Sequence, residues 1–151
     1  MKSILLLSTF YLFVLSHSFA QSFFVDDIRF EGLKKTRHSY LKRFIDQQIN
    51  TKLDAIQVVR DVQQLKNLLQ VADAHYSTDT LDNRVQLTYH IDEALTFFPV
   101  VNFGGVQGNI WGQVGFTDIN WLGLGHQLTA YYQNSDGRSG GNLFYRLPYI
   151  G

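Results

Sequence analysis

Cysteine is absent from the 151-residue chain, which excludes disulfides, thiolate metal sites and a lipidated cysteine within this sequence. Proline occurs only twice, and there is no net charge, because 13 basic side chains balance 13 acidic ones. Nucleic-acid-binding proteins usually carry a basic excess, so the composition indicates no such partner. Apolar residues are plentiful instead, at 45% hydrophobic and 15% aromatic.

Glycine and charge are scarce in opposite halves of the chain. Of 12 glycines, only Gly32 precedes Gly104. After Glu93 the only charged residues are Asp118, Asp136, Arg138 and Arg146. This change of composition predicts a boundary near residues 94–99, with one domain over 21–94 and a second part over 95–151.

The amino terminus has the pattern of a secretory signal peptide over residues 1–20. Lys2 is followed by the apolar run "ILLLSTFYLFVLS" and by small residues up to Ala20, where cleavage is expected. The alternative is a membrane anchor, but the apolar run is shorter than the roughly 20 residues that a spanning helix needs. A mature chain beginning at Gln21 would lie outside the cytoplasm.

Residues 22–93 predict a small α+β domain in the order β-α-α-β-β. "FFVDDIRFEG" alternates as a strand does, and "DAHYSTDT" and "RVQLTYHIDE" predict two more strands joined by the turn "LDN". A first helix is expected after Thr36 or Ser39, and Thr51 with Asp54 resembles a capping box that starts a second. The expected apolar stripes are Leu41, Phe44, Ile45 and Ile49 on the first helix, and Val58, Val62, Leu65 and Leu69 on the second. Two helices covering one face of a sheet make a reasonable domain.

Residues 97–151 predict antiparallel strands that are apolar on one face and polar on the other. Four segments alternate in this way: "FFPVVNFGG", "NIWGQVGFTDI", "HQLTAYYQ" and "NLFYRLPYI". Strands of about 10 residues with this pattern are typical of a membrane β-barrel. The side chains expected to face lipid are Val114, Phe116, Leu128, Ala130, Tyr132, Leu143, Tyr145 and Leu147. The alternative is a soluble antiparallel sandwich with one solvated face.

One turn in this part of the chain is unusually apolar. "NWLGLG" places Trp121, Leu122 and Leu124 where soluble proteins normally have polar residues. Aromatic residues concentrate at membrane interfaces, so we expect this turn to lie there.

The first domain resembles a POTRA domain. The resemblance is carried by "FFVDDIRFEGLKKT", with apolar Val25, Ile28 and Phe30, and by a closing strand that ends in an acidic residue. It covers the whole domain and implies that a sheet edge holds partner chains by β-augmentation. The candidate edge is Asp73, Ala74, His75, Tyr76, Ser77 and Thr78. The same stretch is equally typical of a solvated edge strand without a partner.

The second part resembles the start of the surface-antigen barrel in BamA-like outer-membrane assembly proteins. "VNFGG", "GFTDINWLGLGHQLTAYYQ" and "LFYRLPYI" occur in that family's order. The most specific piece is the motif of Asp118, Asn120, Trp121, Leu122, Gly123 and Gly125. Because about 8 strands are the minimum for a membrane barrel, four strands are interpreted as the beginning of a longer protein.

The resemblance implies a non-enzymatic assembly factor in the outer membrane, with its POTRA domain in the periplasm. Its expected partners are outer-membrane lipid, unfolded β-barrel clients and lipoproteins of the assembly machinery. Two other hypotheses remain: a secretion pore of the same superfamily that exports a dedicated partner, and an unrelated soluble β-rich binding protein.

No catalytic, cofactor or metal residues are predicted. "GRSGG" matches the hydrolase motif G-x-S-x-G, but that chemistry needs a helix after Ser139, and the residues that follow predict a strand. His75 and His90 have no second ligand at a zinc spacing along the chain, so each is interpreted as a surface residue.

Overall fold

A computed structural model describes residues 23–147, apart from the side chain of Leu81. The predicted signal peptide over residues 1–20 lies outside the described residues. The elements are strand β1 (Phe24–Glu31), helix α1 (His38–Leu41) continued by a 3-10 turn (Lys42–Phe44), helix α2 (Ala55–Lys66), and strands β2 (Val71–Leu81), β3 (Arg84–Glu93), β4 (Phe97–Val106), β5 (Asn109–Trp121), β6 (His126–Ser135) and β7 (Arg138–Arg146). Within the described residues, no helix has the length and apolar character needed to cross a membrane.

The first three strands form one sheet in the order β1-β3-β2. β1 runs parallel to β3, and β2 pairs with β3 antiparallel through a two-residue turn. Asp82 and Asn83 form that turn with positive φ angles of 49° and 63°, the conformation that favours Asn and Asp in tight hairpins. The predicted order β-α-α-β-β is therefore confirmed.

The core of this domain lies between the sheet and the helices. It contains Val25, Phe30, Tyr40, Leu41, Val58, Leu65, Val71, Ala74, Leu87, Tyr89 and Ile91. The alternating apolar positions of β3 are all buried, as the strand period predicts. Val62 packs against its edge, but Leu69 lies beyond the end of α2 and is 76% exposed, so it does not belong to the stripe.

Both predicted helix starts differ from the structure. α1 begins after Arg37 and lasts only four residues, because the chain is already extended at Ile45. α2 is capped by Asp54 itself, whose carboxylate accepts from the backbone N–H groups of Ile56 and Gln57. The Thr51 hydroxyl instead donates to the carbonyl of Gln48, so the pair is not a capping box.

A buried carboxylate explains why the first helix ends early. Asp61 on α2 is fully buried and accepts hydrogen bonds from the backbone N–H groups of Asp46 and Gln47, at 2.9 and 3.1 Å. It also accepts from the Gln57 amide and from the Tyr89 hydroxyl. Because the backbone at 46–47 turns its amides toward Asp61, it cannot continue α1.

Tyr89 should make the domain sensitive to alkali. Burial, and then the hydrogen bond to Asp61, raise the pKa of Tyr89 far above its ordinary value. The unfolded chain ionises this residue near pH 10, so stability is retained below that pH and falls by about 1.4 kcal/mol per pH unit above it. We expect Tyr89→Phe to reduce this alkaline slope in urea titrations between pH 9 and 11. An unchanged slope would contradict the assignment.

The last four strands form a second, antiparallel sheet in the order β4-β5-β6-β7. β7 begins at Arg138, four residues before the predicted strand, because Asp136 and Gly137 make a two-residue turn with positive φ. Ser139 of the "GRSGG" stretch therefore lies on a strand. In the described chain β4 and β7 are open edges, so the sheet is an incomplete barrel.

Candidate strand-accepting edge and domain junction

The candidate edge residues lie on β2, which pairs with β3 alone in the described part of the chain. Five of the six side chains are exposed, whereas Ala74 belongs to the core. The backbone groups on the outer side of β2 are available for another strand. The polar side chains at His75, Ser77 and Asp79 protect such an edge from indiscriminate aggregation.

The structure brings together two histidines that the sequence separates by 15 positions. His75 and His90 are cross-strand partners, and their rings stack with centroids 4.8 Å apart. His90 Nε2 lies 2.8 Å from the Ser77 hydroxyl, and His90 Nδ1 lies 3.5 Å from Glu31. Only strand register creates this contact, so residue spacing could not reveal it. Among residues 23–147 no group of three potential ligands could hold a metal ion.

The opposite edge of the sheet is partly covered. The beginning of β1 is bonded to residues 50–53, through Val25 N to Thr51 O and Asn50 N to Val25 O. Beside the remainder of β1 lies a groove of about 480 Å³, with Ile28, Phe30, His38, Lys42, Ile45 and Ile49 in its lining. β2 therefore offers the longer free edge.

The motif of residues 118–125 lies at the junction of the two sheets. Lys35 Nζ contacts both carboxylate oxygens of Asp118, at 2.7 and 2.6 Å, and the Thr96 hydroxyl at 3.2 Å. Asp118 is only 3% exposed, and it also accepts from the backbone N–H of Asn120. The acidic residue of the second sheet is thus satisfied by a lysine of the first domain.

Asn120 connects the same two parts of the chain. Its amide donates to the Thr36 hydroxyl at 2.9 Å, and its carbonyl oxygen accepts from Gly125 N at 2.8 Å. Gly123 accepts a backbone bond from Arg37, and it has a φ of 73° that disfavours other residues. A Cβ at Gly123 would overlap the carbonyl of Lys35, so glycine is needed for this close approach.

Part of the apolar turn lies against the first domain. Leu124 packs against the core of the first domain, and Gly125 lies against Tyr40. Trp121 is half-buried, and Leu122 remains 55% exposed. Contact with the neighbouring domain, which the sequence alone could not place, explains why Leu124 is apolar.

Glu93 organises the segment that supplies Lys35. Its carboxylate accepts from the backbone N–H groups of Lys35 and Thr36. Burial by itself would raise the pKa of Glu93, but hydrogen bonds from Thr36, Lys35 and Lys34 outweigh it and lower that pKa below its ordinary value. The acidic end of β3 therefore holds the segment "EGLKKT" that follows β1.

The residues expected to face lipid share one face of the second sheet. Phe116 is paired with Ala130, and Ala130 with Leu143. Val114 is paired with Tyr132, and Leu128 with Tyr145, on the same face. Leu147 follows β7 and is exposed. The opposite face contains the Thr117–Thr129 hydroxyl contact at 3.0 Å and the Asn102–Gln113 amide contact.

Comparison with known proteins gives this arrangement a family. Residues 23–94 match the family model described as "POTRA: Surface antigen variable number repeat". The crystal structure of BamA from Haemophilus ducreyi lacking POTRA domains 1-3 matches 85% of this chain, with 27% identity and a TM-score of 0.64. Residues 23–94 belong to the POTRA family, and the chain as a whole is similar to BamA. The chain consists of a POTRA domain followed by the first antiparallel strands of the barrel.

The matched structures are much longer than this chain. This chain spans 25% of the length of the BamA chain that it matches. CdiB from Acinetobacter baumannii matches 76% of this chain and 23% of its own length, with 14% identity and a TM-score of 0.45. No curated protein sequence matches the chain.

Proposed function

We propose that this BamA-like chain is the receiving end of an outer-membrane assembly factor, and that it acts without catalysing a covalent reaction. One observation carries the proposal: a POTRA sheet with a free β2 edge is joined, through buried contacts, to a barrel sheet with an apolar face. The domain would hold a client strand beside the strands that enter the membrane.

The β2 edge suits clients of varied sequence. An added strand bonds mainly through its backbone, so affinity does not require particular side chains. Apart from the aromatic Tyr76, most exposed side chains along β2 are small or polar, including Ser77, Thr78 and Asp79, and they leave room for a second strand. We therefore expect weak, sequence-tolerant binding of unfolded barrel segments.

The proposed location follows from the different surfaces of the barrel sheet and the POTRA domain. The apolar face of β5 to β7 would contact outer-membrane lipid, and the charged POTRA domain would lie in the periplasm. Lipoproteins of an assembly machinery would bind the POTRA domain from the same compartment.

Photo-crosslinking can test the proposed edge. A photoreactive phenylalanine analogue at Ser77 in the full-length protein, reconstituted in lipid vesicles, should capture a urea-unfolded outer-membrane β-barrel protein. The same analogue at Arg60, an exposed position on α2, is the matched control and should capture several-fold less. Equal capture at both positions would contradict binding at β2.

Client fate separates the assembly factor from a secretion pore. An assembly factor should accelerate folding of the client into the vesicle membrane, measured by resistance to added protease. Release of the client into the vesicle interior, without insertion, would overturn the assembly proposal in favour of a pore.

A further inference from the structure

Asp118 occupies an unexpected place on the barrel sheet. By strand alternation it belongs to the same face as Val114 and Phe116, the face proposed to meet lipid. A carboxylate there is unfavourable unless it is covered and paired. Lys35 of the POTRA domain provides both the cover and the opposite charge.

We propose that Lys35 is a positioning residue, whose ion pair with Asp118 latches the POTRA domain to the first barrel hairpins in a single orientation. The inference goes beyond the proposed function, because the latch would serve an assembly factor and a secretion pore alike. Its consequence is geometric: the β2 edge stays at a fixed place relative to the barrel strands.

The connection between the domains is too well bonded to act as a free swivel. Ala94 N donates to the carbonyl of Gln70 on the POTRA side, at 3.0 Å. Two residues later, Thr96 O accepts from Ile119 N on the barrel side, at 2.9 Å. The linker is therefore held at both ends, so a change of orientation must break contacts outside it.

The Lys35–Asp118 ion pair is expected to stabilise the docked state, in which the POTRA domain contacts the barrel sheet, over an undocked state in which these contacts are broken. Asp118 and Asn120 are 3% and 1% exposed, so undocking would expose both without their POTRA partners. The Lys35 side chain is 38% exposed, so its ammonium can return to water more easily. The buried carboxylate of Asp118 therefore needs docking to keep its partner, and Lys35 is that partner.

Spin-label distances can test the latch without any client. The full-length protein, refolded in phosphatidylcholine vesicles, would carry nitroxides at Ser77 on β2 and Ser139 on β7, both exposed. We expect one narrow distance distribution. Lys35→Ala should raise the population at other distances about tenfold or more, as expected for the loss of one charge-assisted hydrogen bond. Lys35→Arg should retain the narrow distribution.

Two controls separate the latch from general damage. Lys34→Ala removes the neighbouring, exposed lysine and should leave the distances unchanged. Asp118→Asn keeps the shape of the side chain but removes its charge, and should broaden the distribution as Lys35→Ala does. An unchanged distribution in Lys35→Ala or in Asp118→Asn would overturn the proposal, as would equal broadening in Lys34→Ala. Because no client is present, failure of the proposed function cannot produce any of these results.

Discussion

Asp61→Ala should destabilise the POTRA domain by about 3–5 kcal/mol. The carboxylate is fully buried and accepts from four donors, of which two are backbone amides in the segment after the 3-10 turn. Alanine leaves the Gln47 N–H and the Tyr89 hydroxyl buried without an acceptor, and each costs about 1–3 kcal/mol before the structure relaxes.

Urea unfolding of residues 22–94 measures this effect. All core residues except the adjoining Leu124 lie within residues 22–94. The wild-type domain should therefore unfold cooperatively when expressed alone. Asp54→Ala is a matched control, because it removes an exposed helix cap and should cost only about 1 kcal/mol. A cost for Asp61→Ala no greater than that of Asp54→Ala would show that the buried network does not stabilise the domain.

The sequence conceals Asp61 for a physical reason. An aspartate at one position of an amphipathic helix is ordinarily solvated, and its neighbours Val58 and Val62 gave the pattern of a helix stripe. Its partners at 46–47 are distant along the chain and donate through their backbones, which leave no mark in residue type. The same contact ends α1, so the apolar stripe expected to continue to Ile45 and Ile49 is not helical there.

The strand segments were easier to predict, because a period of two belongs to the sequence itself. β3 buries Val85, Leu87, Tyr89 and Ile91 in alternation, and the pairing of β5, β6 and β7 keeps the predicted apolar residues on one face. Register, by contrast, depends on turn geometry. The two-residue turn at Asp82 and Asn83 sets the register that stacks His75 on His90.

The turn at 121–125 shows that an apolar sequence pattern does not identify what covers it. Its apolar residues required contact with something other than water, and lipid was one such environment. The structure supplies another, since Leu124 joins the POTRA core and Gly123 meets the chain at Lys35 and Arg37. Sequence patterns identify that a surface is buried, but a neighbouring domain and a membrane favour the same apolar side chains.

The face of the barrel sheet leads to the second large effect, a contrast between two adjacent residues of β6. Ala130 lies in register between Phe116 and Leu143, in a shallow apolar recess near the middle of the strand. Thr129 lies on the other face, with its hydroxyl 3.0 Å from that of Thr117. Successive side chains point to opposite sides of a strand, so moving a substitution by one residue should invert its effect.

Ala130→Arg should therefore destabilise the full-length protein in bilayers by about 2–4 kcal/mol, the cost of arginine on a lipid-facing strand near the bilayer midplane. Thr129→Arg places the same side chain on the polar face, where water in the barrel interior can solvate it, and should cost much less. Both variants should be refolded in lipid vesicles and compared by denaturant titration. Equal costs, or a larger cost for Thr129→Arg, would mean that the lipid face is wrongly assigned. A soluble sandwich, in which the face of Ala130 packs against protein, would then account better for residues 97–147.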